Sequence, residues 1–327
     1  MALLTYISAI TEALREEMQR DERVFIIGED VGVEGGVSKA TKGLYSEFGA
    51  ARVIDSPLAE GMIVSASIGA ALAGLKPVPE IHSSDFIAPA MGALTEAARL
   101  RYRSGGSQSC ALTLRIPYGS VGSGLDHSQI NTTSFAHEPG LVVVAPGTVA
   151  DAKGMLKAAI RQDDPVVYLE HRKLYRSMKE DLSDDPDFVT DLFNAAIRRP
   201  GKDLTLVTYG WTLQLSLQAA EKMHAETGAE IEVIDLRVLN PLDEDTFLES
   251  LARTGHLLIV HEDHRTLGIG AEISAIAAER AFDCLDAPIL RVTAPDVPAI
   301  PFSASLEELY LPSVDAIVAA ATRLLQY

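Results

Sequence analysis

The feature that most constrains the fold is a regular alternation of strand-like and helix-like segments along the chain. VFIIG (24–28) is a short apolar run closed by glycine, and GEDVGVEGG (28–36) follows as a glycine-rich loop. GMIVSASIGAALAGL (61–75) reads as a small-residue helix, KPVPEIH (76–82) as a strand entered through proline, and residues 87–102 as a helix with Pro89 in its first turn. CALTLRI (110–116), LVVVAP (141–146) and VVYLEH (166–171) read as strands, with a helix over 148–162 between the last two. Strands that are continuously apolar, rather than alternating, are those covered on both faces. The pattern therefore predicts an α/β fold with a mostly parallel sheet and helices on both sides.

The pattern breaks once and resumes. KEDLSDDPDFVTD (179–191) is acidic, carries Pro186 and lacks an apolar period, so it reads as a connector. Strands are then expected at 204–210, 231–236, 256–263 and 289–292, with helices near 212–227, 243–253, 270–282 and 313–325. At 327 residues the chain is long enough for two cores. The expected division is a first domain over 1–185, a connector over 186–197 and a second α/β domain over 198–327. The opening stretch, MALLTYISAITEALREEMQR, lacks a basic region followed by an apolar block and reads as an amphipathic helix with Ile7, Ile10, Leu14 and Met18 on one side.

Charge and cysteine content exclude several function classes. The 28 Lys+Arg against 46 Asp+Glu leave a net charge of −18, which disfavours nucleic acid and anionic membranes as partners. No apolar run is long enough to span a bilayer. Cys110 and Cys284 are the only cysteines, so neither a disulfide framework nor a zinc ribbon can be built. A reducing, cytoplasmic setting is the expectation. There is no P-loop, no GxSxG elbow, and GIGAEI (268–273) lacks the third glycine of a dinucleotide fingerprint. His261, Glu262, Asp263 and His264 are one residue short of HExxH and end a predicted strand, so they read as a polar strand end.

Three polar positions remain where first-domain strands end: Glu60 before a helix, Asp85 and Phe86 after the strand 78–82, and His127 in the loop GSVGSGLDHSQ (119–129). Ligands of open α/β sheets collect at such ends. The residues themselves define a site using a carboxylate and a histidine. The alternatives are an exposed helix N-terminal acid, a core phenylalanine and a loop histidine bonded to backbone.

The order and spacing of GEDVG (28–32), RVIDSPLAE (52–60), SDFIAPA (84–90), RYRSGG (101–106), HSQ (127–129), residues 139–176, DLRVLNPLD (235–243) and APDVPAIPF (294–302) carry a resemblance over nearly the full length. The chain resembles the beta subunit of the thiamine-diphosphate-dependent decarboxylating component of 2-oxo acid dehydrogenase complexes, in the transketolase-like superfamily. RYRS with LEHRKLYR is similar to the branched-chain group. The resemblance implies a pyrimidine-binding domain followed by a transketolase C-terminal-type domain. It also implies an alpha subunit in an alpha2beta2 assembly and a lipoyl-bearing transacylase core that docks on the C-terminal domain.

In that resemblance, Glu60 matches the carboxylate that hydrogen-bonds N1′ of the cofactor's aminopyrimidine. Leu58 flanks that ring, Phe86 stacks on it, and His127 matches the histidine near the thiazolium. The chain has no Gly-Asp-Gly and only three asparagines, Asn131, Asn194 and Asn240, so the diphosphate and its Mg are expected on the alpha subunit. A structural potassium is implied at Leu112, Thr113, Ala159, Ile160, Gln162 and Asp164, with backbone carbonyls supplying most of the ligands. Three departures bear on substrate and acceptor. The loop from Pro117 to His127 is one residue short, Ser123 falls near an expected histidine, and His82 replaces glutamine. Alternatives are a related enzyme subunit acting on pyruvate, acetoin or a specialised ketoacid, a non-catalytic scaffold subunit, and, more distantly, a nicotinamide oxidoreductase.

Overall fold

The computed structural model describes residues 2–122, 124–183 and 185–327, so Ser123 lies outside the described residues. The chain divides into two compact units: Met1–Tyr118 with Ser134–Leu192, and Gly119–Thr133 with Phe193–Tyr327.

The first unit opens with β1 (Ala2–Thr5), then α1 (Tyr6–Arg20), β2 (Val24–Glu29), α2 (Leu44–Phe48), β3 (Val53–Ser56), α3 (Glu60–Leu72) and β4 (Lys76–Glu80). It continues through α4 (Met91–Arg103), β5 (Thr113–Tyr118), α5 (Thr132–Ala136), which spans the boundary between units, β6 (Val142–Val144), α6 (Val149–Arg161), β7 (Val166–His171), α7 (Leu174–Ser177) and β8 (Lys179–Leu182). Its main sheet runs β6-β7-β5-β4-β2-β3, with every one of these pairs parallel. The apolar runs at 24–27 and 166–169 are buried throughout, as parallel strands covered on both faces require.

Buried charge ties the central strands together. Arg115 on β5 donates through Nη1 to Glu80 of β4 at 2.5 Å, and through Nε and Nη2 to Glu170 of β7 at 2.6 and 2.8 Å. Tyr175 Oη donates to the same Glu170 at 2.7 Å. Helix α1 is capped by Thr5, whose side chain accepts from Ser8 N–H, and buries Ile10, Leu14 and Met18. Lys153 and Lys157 of α6 are buried too, and their ammonium groups reach Glu16 of α1 at 2.7 and 2.6 Å.

The second unit holds β9 (Ala196–Arg199), β10 (Leu204–Thr208), α8 (Thr212–Thr227), β11 (Ile231–Asp235), β12 (Val238–Asn240), α9 (Glu244–Thr254) and β13 (Leu257–His264). It closes with α10 (Ile269–Arg280), β14 (Leu290–Ala294), α11 (Ala304–Tyr310) and α12 (Val314–Leu324). Its sheet order is β14-β13-β10-β11-β9, parallel except for the edge strand β9. Leu204, Leu206, Val233, Leu258 and Val260 form a core with α8 and α12.

The α/β class and the mostly parallel sheets are as expected from the alternation. Three local readings are corrected. The helix expected from residue 1 begins at Tyr6, because Ala2–Thr5 pairs antiparallel with Lys179–Leu182. That pairing also turns the start of the expected 179–191 connector into a strand. The helix expected over 87–102 begins as 3₁₀ turns at Ser84–Phe86 and Ala88–Ala90, with Pro89 inside the second. Residues 119–133 group by their contacts with the second unit.

Candidate active site

The carboxyl ends of β2, β3 and β4 lie side by side, since Glu29 pairs with Ser56 and Gly28 with Glu80. Gly28 permits this closeness: a Cβ there would lie 2.8 Å from the Glu80 carbonyl. Glu60 is the first residue of α3, and Ala59 before it supplies no side-chain cap. The free N–H groups of that helix end favour a negative charge. Glu60 is half-buried.

Two neighbours extend the site. His82, just past β4, places Nδ1 3.1 Å from Glu29 Oε2. Its other ring nitrogen, Nε2, is buried and has no hydrogen-bond partner among the described residues. Burial raises the Glu29 carboxyl above its ordinary pKa, the Glu60 and Asp30 charges add to that, and His82 opposes it. Glu29 is thus coupled both to His82 beyond β4 and to Glu60 at the start of the helix that follows β3. The Glu29–His82 pair was missed from sequence; its signals were GEDVG and the histidine at 82.

Phe86 ends the first 3₁₀ turn and is half-buried. That turn is fixed by Ser83, whose Oγ donates to Asp85 at 2.5 Å, and by Arg172, which donates to the His82 carbonyl at 2.8 Å. Helix α3 lies close to the following turn, because a Cβ on Gly61 would sit 3.2 Å from the Pro89 carbonyl. Leu58 is 76% exposed. Glu60 and Phe86 therefore lie on neighbouring segments of the first unit, and Leu58 stands exposed two residues before α3.

His127 is carried by the second unit and is exposed there. Its loop is anchored at both ends by carboxylates. Ser120 Oγ and Gly122 N–H both donate to Glu307 Oε1, the latter at 3.0 Å. Asp263 Oδ2 accepts from Thr132 Oγ1 at 2.6 Å, from Thr133 N–H at 3.1 Å and from Thr133 Oγ1 at 2.7 Å. Burial alone would raise Asp263, but hydrogen bonds from His264, Thr132 and Thr133 outweigh it and hold the carboxyl down at about 2. His261, in the same strand, is kept neutral by burial, with its pKa pushed down to about 4, and its Nε2 accepts from Gly270 N–H at 3.1 Å. The stretch 261–264 thus positions a loop and a helix start; the sequence marked Asp263 only as part of a polar strand end and did not mark Glu307 at all.

The residues named for potassium do not form an open cage. The Leu112 carbonyl accepts from Val166 N–H at 2.8 Å and that of Ala159 from Gln162 N–H at 3.0 Å. The Asp164 carboxylate accepts from Arg101 at 2.6 Å. The carbonyls of Ile160 and Gln162 accept from the Lys76 ammonium at 3.2 and 3.3 Å. Thr113 is buried at the start of β5. A carbonyl keeps a second lone pair after accepting one N–H, so what sets this group against a free ion is the Lys76 ammonium already lying on the Ile160 and Gln162 carbonyls.

Comparison with known proteins defines the class. Residues 3–178 match the transketolase pyrimidine binding domain, and residues 194–317 match the transketolase C-terminal domain. The chain is 44% identical over 329 residues to the 2-oxoisovalerate dehydrogenase subunit beta of Bacillus subtilis (strain 168), covering 100% of both chains. It is 42% identical to the pyruvate dehydrogenase E1 component subunit beta of the same organism, again with 100% of both covered. A solved structure described as split gene transketolase, inactive beta4 tetramer, shares the fold with a TM-score of 0.77 at 21% identity, covering 99% of this chain and 98% of that one. The chain belongs to the transketolase-like family and, within it, to the beta subunits of 2-oxo acid dehydrogenases.

Proposed function

We propose that this chain, with an alpha subunit in an alpha2beta2 assembly, decarboxylates a branched-chain 2-oxo acid on thiamine diphosphate and passes the acyl group to a lipoyl domain of a transacylase core. The observation that carries the reading is Glu60 at the bare N-terminus of α3, beside the Glu29–His82 pair. A half-buried carboxyl next to a buried ring nitrogen that lacks a partner suits a heterocycle with both acceptor and donor atoms. Bound there, thiamine diphosphate would supply the electron sink for decarboxylation.

Glu60 holds a proton at N1′ of the aminopyrimidine, Phe86 packs against the ring face and Leu58 against its edge. His127 exchanges a proton with the substrate or orients the incoming lipoyl group, as an imidazole can near neutrality. The diphosphate and its Mg belong to the alpha subunit. Residues 1–185 serve as the pyrimidine-binding domain, 186–197 as connector and 198–327 as the domain for subunit contacts and core docking. Cytoplasmic residence accords with the reading, and among the described residues no helix is long and apolar enough to cross a membrane.

The test is co-purification with the alpha partner and assay on branched 2-oxo acids, pyruvate and acetoin. Glu60→Gln should lower kcat by about 10²–10⁴ with cofactor still bound. His127→Gln should impair transfer to a lipoyl domain more than decarboxylation followed with an artificial oxidant. Full activity in Glu60→Gln would overturn the assignment. The histidine at position 82 favours one second reading, an enzyme of the same type acting on acetoin or a specialised ketoacid, and the substrate panel separates the two.

A further inference from the structure

The strongest unassigned feature is a half-buried cation in the first unit. Helix α6 ends at Arg161, and Gln162 turns extended, with φ −65° and ψ 156°. Three successive carbonyls, of Ile160, Arg161 and Gln162, are thereby left at the negative end of the helix dipole. Lys76, the first residue of β4, sends its ammonium to all three, at 3.2, 3.1 and 3.3 Å. The side chain is only 13% exposed, and its nearest carboxylate, on Asp163, is 3.9 Å away and itself 74% exposed. The ammonium is therefore held chiefly by backbone oxygens, as a weakly hydrated monovalent ion would be, rather than by an ion pair.

We infer that the Lys76 ammonium is a tethered substitute for a structural monovalent cation, so that this chain neither binds nor needs potassium at the end of α6. An ammonium has nearly the charge density of potassium and donates three hydrogen bonds, matching the three carbonyls it meets. Two of these carbonyls belong to the set that the resemblance assigns to the ion, and other oxygens of that set are engaged by N–H groups or by Arg101. Covalent attachment removes the translational entropy that a free ion would lose on binding. A polar cleft of 260 Å³, bounded by Lys76, Ile160, Arg161 and Asp163, connects the position to solvent, so an ion could enter if the ammonium were removed.

The inference does not depend on the proposed reaction, and its test uses stability rather than turnover. The full-length protein, in the assembly in which it purifies, is melted in potassium, sodium and choline chlorides at equal ionic strength. The wild-type midpoint is expected to be the same in all three. Lys76→Met should melt roughly 2–4 °C lower in choline and recover most of that loss in potassium. A wild-type midpoint that rises with potassium but not with sodium or choline would overturn the inference. So would a Lys76→Met protein that melts like wild type, or one that potassium fails to rescue. Thallium(I), a potassium mimic with a strong anomalous signal, gives a readout that needs no variant. A wild-type crystal soaked in it should show no peak at the Ile160 and Gln162 carbonyls, and a peak there rejects the substitution.

Discussion

At the scale of single residues, Asp263 shows how much one carboxylate can organise. Its Oδ2 gathers three donors from Thr132 and Thr133, and with the hydrogen bond from His264 these overcome burial and hold its pKa at about 2 rather than 3.8. The folded state binds the proton more weakly than the unfolded chain, so this group's contribution is complete above about pH 4 and is lost as pH falls through 2. Asp263→Asn retains the shape and loses the charge. Hydrogen exchange should then quicken across 119–133 at neutral pH, while the strands β10 and β13 keep their protection. Unchanged exchange in the loop would show that Asp263 does not hold it. Neither this anchor nor Glu307 was legible in the sequence, because each contact joins residues more than a hundred positions apart and no local pattern marks an acceptor. Glu60 and Phe86 were legible as polar and aromatic positions at strand ends, but their roles came from the resemblance. His82 stood out as a departure, while its pairing with Glu29 needed the register of β2 against β4.

At the scale of elements, the central strands were legible because burial on both sides demands unbroken apolar runs, and VFIIG and LTLVTYG supply them. β1 and β8 were not, since Ala2–Thr5 and Lys179–Leu182 carry no period of their own and become strands only by pairing with each other. What locks β4, β5 and β7 in place is also hard to foresee from composition: one buried arginine between two buried glutamates. Arg115→Met would leave Glu80 and Glu170 facing each other without a cation. The expected cost is about 3–5 kcal/mol in denaturant unfolding. A triple change that also replaces both glutamates with apolar residues should recover much of it, which distinguishes an uncompensated charge from lost packing.

At the scale of the molecule, α3 is apolar or small nearly all the way round, yet Met62, Ser65, Ala66, Gly69 and Leu72 present an exposed face. Leu58 and Tyr102 of the same unit are exposed as well. A helix of this composition is normally covered. Expressed without partners, the chain should sediment as species larger than its 35.1 kDa mass, and Met62→Glu with Leu72→Glu should shift it toward the monomer. A wild-type chain that stays monomeric at high concentration would contradict this. The chain's route through its two units has a separate consequence. Because residues 119–133 leave the first unit to be held by Asp263 and Glu307 of the second, no single cut separates the halves cleanly. Trading C-terminal halves between relatives by recombination at the connector would strand the histidine segment on foreign anchors. Viable chimeras should therefore need three crossover points, with that short segment inherited from the donor of the tail.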